Sequence, residues 1–325
     1  MVRVALIAGG RSGEFDVSIK SSEAVAAALR RLGHDICELI ITREGTARLD
    51  GEEMPLARGF DQLSSHKVEC AFIAMHGEDG EDGRIQGVLD LLGIPYQGCG
   101  VTASAAAMSK SIAKLHYRAY DLPVADDATL RPSDTPIDWH RIADSLSLPL
   151  VLKTATSGSS VGVEVVDTLD DLITRGDALL ATTPALVVER WLPGREFTAA
   201  VLEEEDGSLT ALPIVEIRPT SARFFDYEAK YTPGATDEIC PAPISEAQKH
   251  ELQQLGLRAH RALACRHVSR TDFKCDSDGR PVLLETNTLP GLTPMSLLPK
   301  AANAHGLTFD ALVDRLLTLA MRRSV

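Results

Sequence analysis

SRTDFKCDSDGRPVLLETNTLPG, residues 269–291, decides how this chain is read: two apolar runs flank Asp278-Gly279, yet they carry Arg270, Asp272, Glu285 and Asn287. An Asp-Gly pair supplies the positive-φ positions of a type I′ turn, so the stretch is predicted to be a β-hairpin. With Ser277 opposite Arg280, Asp272 faces Glu285 and Arg270 faces Asn287. Alternation of period two then puts all four on one face and turns Thr271, Phe273, Leu284 and Thr286 to the packing side. Two carboxylates directly opposite each other repel unless positive charge lies between them. A hard divalent cation such as magnesium, which takes oxygen ligands from carboxylates and amides, suits Asp272, Glu285 and Asn287 together. A solvent-facing strand surface balanced by Arg270 suits them too, and the hairpin alone does not choose.

The whole chain narrows the choice. Its 325 residues suggest two or three packed units. Forty-six acidic residues against 33 basic ones, a net charge of −13, argue against a nucleic-acid partner held through its phosphates. The apolar runs are too short to span a bilayer and MVRVALIAGG leads straight into a strand pattern, so no membrane partner and a cytosolic location are expected. Cys37, Cys70, Cys99, Cys240, Cys265 and Cys275 form no CxxC pair and read as reduced thiols rather than disulfides or zinc ligands.

The first third alternates strand and helix. VRVALIAGG, DICELII, CAFIAM and IPYQG are predicted strands, Val25, Ala28, Leu29 and Leu32 fall at helical spacing before a Gly33 stop, and Ile85, Val88, Leu89 and Leu92 mark a second helix. This is a parallel α/β pattern. DLPVADDATLRPSDTP, residues 121–136, reads as a linker. From residue 149 onward, strands with few long crossover helices predict an α+β unit. The expected units are residues 1–121, 122–198 and 199–325, with a long loop at 218–244 that has the character of a lid. Phe309, Leu312, Val313, Leu316 and Leu317 form a helical core stripe near the end.

Several candidates for ligand chemistry lie outside the hairpin. TSGSSVG, residues 156–162, is a small-residue loop whose backbone N–H groups, Ser159, Ser160 and Val161 among them, can approach an anion. It lacks the Lys spacing of a Walker A loop, and GGRSG lacks the GxGxxG spacing. Lys153 precedes the loop on a strand, and Lys110 is a second candidate phosphate contact. Glu189 and Glu196 bracket a turn where Trp191 and Leu192 could frame a planar ligand. Glu14 and His76 follow strands at the ends where open α/β sheets bind ligands. Each has an ordinary reading as a cap, a hairpin loop or a solvated side chain.

Taken together, GGRSGEFDVS, MHGEDGEDGRIQGVLDLLGIPYQG, KTATSGSSVG, REFTAAVL, FFDYEAKY and the RTD…ETNTLPGLTPMSLL block resemble the D-alanine:D-alanine ligases, in that family's order and over nearly the whole chain. The resemblance implies an ATP-grasp fold with an N-terminal parallel domain, a small central domain and a C-terminal mixed-sheet domain. It implies ATP-dependent phosphorylation of one D-alanine, attack by a second, and a dipeptide for peptidoglycan precursor synthesis.

By the same resemblance, Asp272, Glu285 and Asn287 hold two magnesium ions, with manganese as a substitute. Lys110, Lys153 and the lid residue Lys230 hold phosphates, Ser159, Ser160, Val161, Glu189 and Glu196 line the ATP site, and Arg270 and the Gly291 N–H face the oxyanion. Glu14 and His76 take the first substrate, Ser296 takes the carboxylate of the second, and Tyr231 with Ser159 locks the lid through Glu14. Tyr231 favours D-alanine over D-serine or D-lactate as second substrate. A homodimer is implied as well. The rival reading is a nucleotide-binding relative without ligation, separated by D-alanine-dependent turnover.

Overall fold

The computed structural model describes residues 1–156, 162–219 and 234–322; Ser159, Ser160, Val161, Lys230 and Tyr231 lie outside the described residues. The first sheet has the order β4-β3-β2-β1-β5, from β1 (Arg3–Gly9), β2 (Asp35–Ile41), β3 (Ala47–Leu49), β4 (Glu52–Met54) and β5 (Cys70–Ile73). β1 runs parallel to both β2 and β5. Its alternation divides two cores: Val4 and Leu6 pack with Val25 and Leu29 of α1 (Phe15–Arg31), while Ala5 and Ile7 face Phe60 and Leu63 of α2 (Leu56–Ser65) and Ile85 and Leu89 of α3 (Arg84–Leu92). Gly33, at φ +82°, ends α1 as expected.

IPYQG is not a strand. It makes only the bridge Ala71↔Tyr96, because the Gln97 side chain takes over the ladder, accepting from the Ile73 N–H and donating to the Ile73 carbonyl, both at 2.8 Å. The segment 121–136 is more than a linker: β6 (Asp127–Leu130) pairs with β9 (Leu186–Arg190). It is preceded by α4 (Val101–Met108) and α5 (Lys110–Ala119).

The second sheet, β6-β9-β7-β8, includes β7 (Leu150–Thr154) and β8 (Val163–Val166). α6 (Trp139–Leu146) and α7 (Leu169–Leu180) cover one face through Leu150, Leu152, Leu186 and Val188. Strand alternation leaves Val151, Lys153 and Glu189 on the other.

The third sheet has the order β13-β12-β10-β14-β15, with β11 beside β10. Its members are β10 (Glu196–Glu203), β11 (Leu209–Ala211), β12 (Val215–Pro219), β13 (Thr236–Ile239), β14 (Val268–Cys275) and β15 (Pro281–Asn287). α8 (Glu246–Ala262) packs on Phe197, Ala199 and Phe273. α7 and α8 supply connections that the strand-rich reading of this half omitted; α8 hides its few apolar contacts, Leu252, Leu255 and Ala259, in a polar sequence. The stretch 218–244 is likewise not all loop, since β12 and β13 pair there as far as Pro219↔Thr236. After α9 (Leu297–Ala304), α10 (Phe309–Met321) brings Leu312, Val313, Leu316 and Leu317 back against the first sheet, as its stripe predicts.

The hairpin of β14 and β15 has the expected register where it matters, reached by a different route. Asp272 pairs with Glu285 and Arg270 with Asn287, but Phe273 pairs with Leu283. The turn is not the two-residue I′ form. The Asp276 Oδ1 accepts from the N–H groups of Asp278 and Arg280, both at 2.9 Å, so three residues are held in the loop and only Gly279 has positive φ. That shifts the register by one residue, and a β-bulge at Leu284 shifts it back. Leu284 consequently lines the cleft beside Glu285 instead of the packing side, whereas Thr271, Phe273 and Thr286 are buried as expected.

Candidate active site

The second and third sheets close on a cleft. Lys110, Lys153, Glu189, Glu196, Asp272 and Glu285, all singled out from the sequence, line it together with Trp191 and Leu192. Lys110 opens α5, where its backbone N–H donates to the Ala155 carbonyl at 2.8 Å, tying that helix to the turn before the small-residue loop. Its Nζ lies 3.7 Å from the Glu285 carboxylate.

Strand register builds the floor. β10 and β14 set Glu196 opposite Lys274, Thr198 opposite Asp272 and Ala200 opposite Arg270. The Arg270 guanidinium donates to both Asp272 oxygens, at 2.9 and 2.8 Å, and the Thr198 hydroxyl donates to Oδ1 at 2.6 Å. Burial works against the Arg270 charge, but Asp272 outweighs it and the guanidinium pKa is raised. Lys274 Nζ sits 3.2 Å from Glu196 and 5.3 Å from the centre of the Trp191 ring, fixing the wall where a planar group would stack.

Glu189 is held by two lysines. Lys153 Nζ is 2.6 Å from one of its oxygens and Lys114 Nζ 2.8 Å from the other, with Lys114 also 3.2 Å from Asp127. Burial pushes the Glu189 carboxyl up, yet the two lysines overcome it and hold its pKa at about 2. Burial opposes the Lys153 ammonium too, but Glu189 outweighs it and the Lys153 pKa is raised.

A second cluster stands at the carboxyl end of the first sheet. Ser18 accepts from the Gly9 N–H and donates to the Ala74 carbonyl, which joins the ends of β1 and β5. His76, buried, meets the Ser21 hydroxyl at 2.9 Å through Nε2 and the Glu81 carboxylate at 3.6 Å through Nδ1. Burial raises the Glu81 pKa, with the nearby Glu14 charge acting in the same direction. A Cβ on Gly77 would lie 2.4 Å from the Glu14 Oε2, so the carboxylate rests on bare backbone at a φ of +69°. Ser296 caps α9, 2.8 Å from the Thr293 hydroxyl, and its Oγ lies 2.9 Å from where a Gly291 Cβ would be. The Asn287 Oδ1 accepts from the Leu289 N–H at 3.0 Å.

The structure thus gathers the predicted residues into three groups. Lys110, Lys153, Glu189, Glu196, Asp272 and Glu285 share the cleft; Glu14 and His76 both stand near Glu81 at the end of the first sheet; Gly291 and Ser296 adjoin each other. Glu81, Lys114, Thr198 and Lys274 were not singled out. Lys274 follows Asp272 by the same period of two, and Lys114 follows Lys110 by four on a helix, so both had a signal. Glu81 and Thr198 are placed only by the fold.

Two β-rich sheets that clasp a charged cleft beside a parallel α/β unit define an ATP-grasp enzyme. Residues 3–99 match the family described as D-ala D-ala ligase N-terminus and residues 117–318 its C-terminal counterpart. The chain belongs to the D-alanine–D-alanine ligase family. It is 44% identical over 325 residues to the D-alanine–D-alanine ligase of Desulfotalea psychrophila, covering 99% of this chain and 96% of that one. Its fold is similar to the Bacillus anthracis D-alanine–D-alanine ligase complexed with ATP (TM-score 0.80, 29% identity, 99% and 98% of the two chains). It is also similar to the VanG D-Ala:D-Ser ligase of Enterococcus faecalis (TM-score 0.84, 29% identity, 98% and 99%).

Proposed function

We propose that this chain joins two D-alanines at the expense of ATP, in the cytoplasm and as a homodimer, to supply a peptidoglycan precursor. The observation that carries this reading is the cleft that Lys110, Lys153, Glu189, Glu196, Asp272 and Glu285 line together, joined to membership of the ligase family. Residues 1–121 would serve chiefly the first substrate, and 122–198 and 199–325 would form the two jaws on the nucleotide.

In the first step a carboxylate oxygen of D-alanine attacks the terminal phosphorus of ATP and ADP leaves; in the second the amine of another D-alanine attacks the acyl carbon and phosphate leaves. Glu14, with Glu81 and His76 behind it, takes the first ammonium. Trp191 and Leu192 flank the base, Glu189 and Glu196 its polar edge and ribose, and Lys110 and Lys153 the phosphates, with Ser159, Ser160, Val161 and Lys230 completing the hold. Arg270 and the Gly291 N–H face the oxyanion of the second step, where preorganised donors count most. Ser296 takes the carboxylate of the second substrate, and Tyr231 and Ser159 close over Glu14, excluding water from the acyl phosphate.

Asp272, Glu285 and Asn287 offer two carboxylates and an amide oxygen on one face, a hard donor set that fits magnesium or manganese. Two such ions, when bound, neutralise charge on the transferring phosphoryl group. Arg270 and Lys110 keep the facing acids compatible before that.

The test is ADP and phosphate release with ATP, magnesium and D-alanine, with the product identified in competition with D-serine and D-lactate. Turnover that does not depend on D-alanine would refute the reading; a mixed product containing D-serine or D-lactate would move the second substrate. Gly77→Ala, which forces Glu14 aside, should raise KM for the first D-alanine about tenfold or more, since roughly 1.4 kcal/mol of lost contact is a factor of ten. An unchanged KM would remove Glu14 from the substrate site.

A further inference from the structure

We propose that Cys37, Asp50 and His66 form a binding site for a borderline-soft divalent transition metal, zinc foremost, on the first sheet and away from the cleft. Their linear spacing fits no metal motif, and the fold alone brings them together. Cys37 lies on β2 with no exposure. Asp50 sits in the turn between β3 and β4, where it and Gly51 both have positive φ, the two-residue form that Asp-Gly favours. His66 caps the C-terminus of α2, its backbone N–H donating to the Gln62 carbonyl at 2.9 Å.

The ligand atoms converge. The Cys37 Sγ is 3.7 Å from the His66 Nδ1, that nitrogen is 3.9 Å from the Asp50 Oδ2, and all three atoms lie within 4.8 Å of one another. Tetrahedral zinc at its usual Zn–S, Zn–N and Zn–O lengths needs ligand atoms roughly 3.3–3.6 Å apart. Small side-chain rotations close the difference. The Asp50 Oδ1 is engaged by the Glu38 N–H at 3.0 Å, which aims Oδ2 at the imidazole and supplies the outer support that metal carboxylates usually have. The Asp50 and His66 side chains are partly exposed, so an ion has an entry path and water can take the fourth position.

The donor set is one thiolate, one imidazole and one carboxylate. It selects against magnesium, whose preference is for oxygen alone, and so separates this site from the Asp272–Glu285 face. Without metal, burial and then the Asp50 charge push the Cys37 thiol up to about 11. Binding therefore releases the Cys37 proton to solvent as the S–metal bond forms. The nearby Arg3 guanidinium pairs with Asp35 at 3.3 Å, which limits its opposition to a cation.

The experiment uses the full chain, freed of metal by chelation and titrated with cobalt(II) as a spectroscopic stand-in for zinc. One equivalent should produce a thiolate-to-cobalt charge-transfer band, which zinc abolishes by displacement. Cys37→Ser should remove the band, and Asp50→Asn and His66→Gln should weaken cobalt binding by about ten- to a hundredfold; these last two partly exposed positions keep the test valid if the Cys37 variant does not fold. ATP-dependent turnover in magnesium should be the same in all three as in the parent. No thiolate band, a band that survives in Cys37→Ser, or undiminished affinity in both other variants would overturn the proposal.

Discussion

Glu285→Gln is expected to reduce ADP release by at least about 10²-fold, a typical loss for one electrostatic group aimed at a transition state, while the folded state is retained. The reason lies in the unequal support of the two facing acids. Glu285 is one-third exposed and has Lys110 at 3.7 Å, so neutralising it strands little. Asp272 is buried and holds Arg270 by two hydrogen bonds. Asp272→Ala is therefore expected to lose activity and to destabilise by about 3–5 kcal/mol, the usual cost of leaving one partner of a buried ion pair alone. Thermal unfolding followed by circular dichroism separates the two outcomes. If Glu285→Gln turns over at the parental rate, the acidic face does not serve phosphoryl transfer.

Lys114→Met should produce the largest structural effect without touching a substrate. Lys114 is 2% exposed and binds Glu189, Asp127 and the Ala125 carbonyl. Its loss leaves Glu189 to Lys153 alone and Asp127 to Arg118, with an expected cost of about 3–5 kcal/mol and a rise in KM for ATP. The pH dependence follows from Glu189. Its folded pKa of about 2 lies below its ordinary 4.5, so its contribution is fully present above about 4.5 and is lost as pH falls from there toward 2. That contribution is on the order of 3 kcal/mol. Acid unfolding of Lys114→Met should accordingly begin at higher pH than in the parent, and Glu189→Gln should flatten the acid limb. Identical acid transitions in all three proteins would show that the pairing does not stabilise the fold.

Local chemistry made much of this arrangement legible. The period of two placed Arg270, Asp272, Glu285 and Asn287 on one face, and the alternating apolar runs gave the parallel sheet. The route to the register was not legible, because an Asp-Gly pair does not fix loop length. At Asp50-Gly51 it makes a two-residue turn; at Asp278-Gly279 the neighbouring Asp276 captures two further N–H groups and lengthens the loop. The bulge at Leu284 restored what the turn displaced. At IPYQG the apolar run suggested a strand where the Gln97 side chain takes the ladder's place, and strands as short and polar as β6 and β13 leave almost no periodic trace. Glu81 and the triad of Cys37, Asp50 and His66 need distant segments to meet, and no spacing rule reaches them.

The return of α10 to the first sheet has a consequence for how the chain reaches its folded state. One whole face of that sheet, including Val4, Leu6 and Phe72, is covered in part by Leu312, Val313, Leu316 and Leu317, and Arg31 meets Asp310 at 2.5 Å. During synthesis the opening β-α-β unit leaves the ribosome with that face covered by α1 alone, and the rest of its cover, α10 among it, comes only with the later parts of the chain. The most sequence-distant contacts therefore form last and carry the largest loop-closure cost. The nascent first unit is the part of this chain most in need of protection from aggregation.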